Sequence, residues 1–167
     1  MKKNNISKVI LSITLSLTMI LTTSCKRFDF QQPYNKDKES IRVGKAILNA
    51  LSEHDEEAFR DLFCERAKEQ ENFSEQVKQA MLFFEGEIEE FPYEGDLTAS
   101  GGEAWDDGVL VDMHISDDIE DIKTNQQKVY HIHYYGYVVN KKVPDEEGVI
   151  EITIKGEDGV CEVGGWE

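Results

Sequence analysis

The chain has 167 residues, of which 34 are acidic and 18 are Lys or Arg, for a formal net charge of −16 at pH 7. So acidic a surface repels phosphate backbones and anionic headgroups, which excludes a nucleic-acid-binding protein. The length is that of one domain with a real core and a short appendage.

Lys2, Lys3 and Lys8 open the chain, and an apolar run diluted only by Ser and Thr follows from Val9 to Leu21. A positive head on a short apolar core has the form of a secretory signal. The run falls short of the roughly 20 residues that a membrane span needs. Its end, Leu21-Thr22-Thr23-Ser24-Cys25, resembles the lipobox of bacterial lipoproteins, with Thr22 where that family usually has Leu. The resemblance implies a signal peptide over residues 1–24, cleavage before Cys25, and lipidation of Cys25 through a diacylglycerol thioether. The implied partner is the lipid bilayer at the extracytoplasmic face of a bacterial cell membrane. Two acyl chains hold firmly, since each buried methylene adds about 0.8 kcal/mol. Residues 25–38, polar and aperiodic with Pro33 among them, read as the lipidated cysteine and a tether; residues 39–167 read as the domain. The first 24 residues hold three Lys and no acid, so the mature chain of 143 residues carries −19.

From Glu39 the apolar spacing is helical, with Ser40 placed to cap and Ile41, Ile47, Leu48 and Leu51 recurring turn by turn. Asp55 reads as the N-cap of a short second helix carrying Ala58, Phe59, Leu62 and Phe63, with Glu56 and Glu57 suiting its positive end. A third helix is the clearest. Phe73, Val77, Met81, Phe84 and Ile88 form its core stripe, and Asn72 with Glu75 has the spacing of a capping box. Phe91-Pro92 ends the pattern.

Beyond Tyr93 the period falls to two. Val109–Ile115 reads as a strand with Val109, Val111, Met113 and Ile115 on one face, and the acidic stretch Ser116–Ile122 either extends it or forms an edge. Lys128–Val139 is the strongest strand, Val149–Lys155 alternates with Ile150, Ile152 and Ile154 inward, and Val160–Val163 is a last short strand. Helices first and hairpins afterwards predict an α+β fold, N-terminal helices packed on a curved antiparallel sheet.

The signal, the tether, LFCERAKE, FSEQVKQAMLFFEG and the final YHIHYYGYVV…EGVIEITIK hairpin resemble a family of bacterial lipoproteins of unknown function with a nuclear-transport-factor-2-like, or cystatin-like, α+β domain. The resemblance implies a cone of bent strands closed by helices, with a pocket at the open end. It implies no catalytic residues, and its superfamily contains enzymes as well as binding and dimerisation modules.

His131 and His133 alternate on one strand; a His-x-His pair holds zinc when further ligands join, but no companion motif is present, so an exposed pair is expected and no metal or cofactor is assigned. Tyr130 and Tyr134 invite comparison with Tyr-plus-Asp oxyanion sites; the acid would come from Asp112 or the Asp117-Asp118 run. Trp105, beside Gly101-Gly102, reads as core, with a pocket rim or partner contact as the alternative. With Cys25 lipidated, Cys64 and Cys161 remain as either a disulfide or two buried thiols. The bridge would close nearly the whole domain, worth about 4–5 kcal/mol in the chain-entropy model. The expectation is a non-catalytic module binding an unknown small ligand or protein through Tyr130, Tyr134, His131, His133 and Trp105. The alternatives are an isomerase- or dehydratase-like enzyme of the same fold, or a homodimer formed through the sheet.

Overall fold

The computed structural model describes residues 35–89 and 100–166, all within the compact unit Asn35–Glu167. The signal segment, Cys25 and Phe91-Pro92 lie outside the described residues. Among the described residues, no helix is long and apolar enough to cross a membrane.

Helix α1 is Lys36–Ser52. It starts before the expected Glu39 because Asn35, not Ser40, is the cap: the Asn35 carboxamide accepts from Lys38 N–H at 2.9 Å. Asp37 and Glu39 sit in the first turn, where the helix end is positive. Its buried stripe runs through Ser40, Val43, Gly44, Ile47, Leu48 and Leu51. His54 at φ +52° breaks the helix. Asp55 then caps α2, Glu56–Asp61, by accepting from Ala58 N–H at 2.9 Å. A one-turn helix that the sequence pattern did not suggest, α3, spans Glu65–Lys68.

Helix α4 spans Phe73–Phe83. The expected capping box is not made: Asn72 is itself in a helical conformation, and its side chain makes no cap bond. The helix also ends before Phe84, whose backbone is extended, yet Phe73, Val77, Met81 and Phe84 are all buried as the stripe required.

Five strands follow: β1 Ser100–Asp106, β2 Val109–Lys123, β3 Val129–Asn140, β4 Gly148–Gly156 and β5 Gly159–Gly164. They form an open antiparallel sheet in chain order. The acidic stretch after Ile115 thus extends β2 instead of leaving it. The expected phase of β2 holds for Met113 and Ile115 but slips at its start, where Leu110 is buried and Val109 is 43% exposed. The cause is a bulge: Trp105 faces Leu110 and Ala104 faces Asp112, so Val111 has no opposite number.

The helices cover one face of the sheet. Ile47, Leu48, Leu51, Phe59, Phe63, Phe73, Val77 and Phe84 meet Ile115, Ile119, Ile122, Tyr130, Ile132, Tyr134, Ile152, Ile154 and Val163 in one core. Further bulges interrupt β2–β3 at Met113/His114 and Ile119/Ile122, and β3–β4 at Tyr135/Gly136. Bulges bend strands, and the last one brings two backbones together. A Cβ on Gly136 would meet the Gly148 carbonyl oxygen at 2.4 Å, so only glycine fits there. Gly148 itself sits at φ +127°.

Candidate functional site

The bulge at Gly136 opens a cleft of about 320 Å³ between α1, the end of α2 and the covered face of the sheet. Val43, Leu62, Ile115, Val138 and Val149 supply apolar walls, and Tyr134 and Tyr137 line it as well. Exposed Arg42, Asp61 and Glu147 stand around it. The Arg42 guanidinium is 2.8 Å from Glu39. The Glu147 carboxylate accepts from Asn140 N–H at 2.8 Å.

One wall carries a buried polar group. Asp117 and Tyr134 are register partners across β2 and β3, and Ser40 reaches both from α1. Ser40 Oγ donates to Asp117 Oδ2 at 3.0 Å and lies 2.6 Å from the Tyr134 hydroxyl, which donates to the Ser40 carbonyl oxygen at 2.8 Å. The other Asp117 oxygen accepts from Asp118 N–H at 2.9 Å. These three side chains satisfy one another, as buried polar groups must. Neither Ser40 nor Asp117 was singled out as a pair from sequence. The signal was nonetheless there: Ser40 lies on the apolar stripe of α1, and Asp117 is in phase with inward Ile115 and Ile119.

The five residues expected to share a site are separated by the fold. Tyr130 is a core residue: its hydroxyl donates to Phe83 O at 3.0 Å and accepts from Glu85 N–H at 2.9 Å, and its ring stacks on Phe84 at 4.5 Å. Tyr134 lines the cleft. His131 and His133 alternate with these tyrosines and so face away from the helices, where both meet one carboxylate. Asp118 Oδ1 is 2.9 Å from His131 Nε2 and 3.1 Å from His133 Nδ1. Partial burial disfavours the Asp118 charge, but the hydrogen bonds and charge of the two imidazoles outweigh it and hold the carboxyl below its ordinary range. Trp105 is not core: it is 54% exposed on edge strand β1 and bonds Glu103.

His114, Tyr135 and Tyr137 form an aromatic group with ring centroids 5.8 to 6.1 Å apart. Burial, then the hydrogen bond with Tyr137, pushes the Tyr135 hydroxyl well above its ordinary pKa. Among the described residues, no three His, Cys, Asp or Glu side chains are grouped to hold a metal ion.

Cys64 and Cys161 carry free thiols, each pushed up in pKa chiefly by burial. Cys64 N–H bonds Val149 O at the start of β4, whereas Cys161 faces Ile154 near its end. Five residues of strand separate those points, roughly 16 Å at 3.3 Å per residue, and a disulfide spans at most about 7 Å between Cα atoms.

A larger recess of about 890 Å³ lies among Ser52, His54, Leu82, Gly86 and Asn125. It is a broad surface hollow with Leu82 80% exposed at its side. The smaller cleft, walled by core elements, is the better-defined site.

A search of curated proteins finds no match. A family model described as a domain of unknown function, DUF5104, matches residues 46–158, which takes in the last two turns of α1, the remaining helices and the sheet as far as the β4–β5 turn. The chain belongs to the DUF5104 family.

Proposed function

We propose that this protein is a lipid-anchored extracytoplasmic module that binds a small ligand in the cleft above Tyr134 and performs no catalysis on it. The observation that carries the reading is the cleft itself: apolar walls with charged groups confined to its exposed edge are the usual make-up of a small-molecule site. The enzyme alternative needs an acid or base held ready for substrate. Here Ser40 and Asp117, beside the cleft, are spent on each other and on Tyr134 and the Asp118 backbone. Bulged antiparallel strands under helices, with a cleft beside the Gly136 bend, also support the nuclear-transport-factor-2-like cone as the fold. The anchor rests on the Val9–Cys25 pattern.

Two experiments test this. Replacing Cys25 by Ala should release the protein from the membrane fraction; retention there would refute the anchor. Native mass spectrometry of the full chain, extracted in mild detergent, should show a retained small mass that Val138→Phe removes. A dimer without added mass would favour pairing through the sheet, at the aromatic group of His114, Tyr135 and Tyr137. A bare monomer would overturn both readings.

A further inference from the structure

We infer that the ligand class of this cleft is a small organic cation, an amine or quaternary ammonium on an apolar body. The inference rests on the cleft being the binding site and adds the sign of the charge. Among the described residues, three charged ones line the cleft: Arg42, Asp61 and Glu147. The one cation among these three, Arg42, is drawn to Glu39 at 2.8 Å, which offsets part of its charge. The field at the rim is therefore set by two carboxylates. The neighbouring acid Glu146 is paired with Arg66 and adds nothing of opposite sign.

Further in, the walls are Val43, Leu62, Ile115, Val138 and Val149, which suit an apolar body. An anion would meet two like charges at the rim and, among the described lining residues, a single cation already engaged by Glu39. A neutral ligand would gain only the walls. A cation with an apolar body gains both, and its head can stay at the wet rim without the desolvation that a buried charge suffers.

Calorimetry on the full-length protein in nanodiscs, with empty nanodiscs subtracted, tests this with three probes of similar size: phenethylamine, phenethyl alcohol and phenylacetate. The amine should bind about fivefold more tightly than the alcohol, the scale expected for exposed charges, and phenylacetate most weakly. Raising the salt concentration should shrink the difference. The double variant Asp61→Asn, Glu147→Gln should bring the amine to the affinity of the alcohol. Unchanged alcohol binding in that variant shows that the cleft is intact.

Equal binding of amine and alcohol by the unaltered protein, abolished by Val138→Phe, would overturn the cation assignment and leave the cleft reading standing. A preference for the amine that survives the double variant would also overturn it, since the rim carboxylates would not be its source. Failure of all three probes to bind would overturn the cleft reading along with it.

Discussion

Asp117 and Tyr134 stand directly opposite each other on β2 and β3, and Ser40 of α1 bonds to both. The first helix is thereby tied to the middle of the sheet by polar contacts within an otherwise apolar interface. Such a contact is directional, so it fixes where α1 lies along the sheet, and with it where Val43 meets the cleft.

Ser40→Ala should therefore destabilise the domain by about 1–3 kcal/mol, because it strips a buried carboxylate of one donor and leaves a polar group unsatisfied. Urea unfolding followed by circular dichroism measures it. A loss close to zero would mean that water replaces the hydroxyl and that the contact does not position the helix.

Phe84 is fully buried and stacks on Tyr130 although it lies past the end of α4. Phe84→Ala should cost about 3–5 kcal/mol. The same unfolding assay decides it, and a cost below that of an ordinary surface substitution would contradict the packing described.

The two imidazoles on Asp118 predict a pH effect of definite sign. The folded Asp118 carboxyl lies below its ordinary 3.8. A depressed carboxyl contributes stability above its unfolded pKa and loses it as pH falls through the folded value. Asp118→Asn should thus flatten the acid limb of a stability–pH curve below about pH 4. The effect is small, since the Asp118 side chain is 55% exposed and solvent screens it. Identical acid limbs for both proteins would refute the interaction.

Both thiols should be alkylated by iodoacetamide in unfolded protein without reductant, and reductant should leave the melting temperature unchanged. A mass lower by two hydrogens before reduction would reveal a Cys64–Cys161 bridge and contradict the separation along β4.

The helical stripes, the strand run and the α+β order were legible in the residues because burial of one face imposes a period, and a period survives in the chain without its partners. Asp55 was legible as a cap for a similar reason: its bond is to a residue three places on. Ser40 was misread on the same local grounds. It had the chemistry of a cap, but Asn35 took that role, and Ser40 instead found partners 77 and 94 residues away. Tyr130 and Tyr134 look alike on β3, yet one packs on Phe84 and the other lines the cleft. That division depends on which helix lies over each, which no local pattern records.

What the sequence determined by itself was the acidic charge, the element order and most of the inward faces. Each depends on composition or short-range period. The tertiary structure alone decided the rest: that Cys64 and Cys161 sit at opposite ends of β4, that His131 and His133 share Asp118, and that a bulge at Gly136 opens a cleft beside Tyr134. These are distances between residues far apart in the chain. They are set by strand register and by bulges, where one extra residue moves every later side chain to a new neighbour.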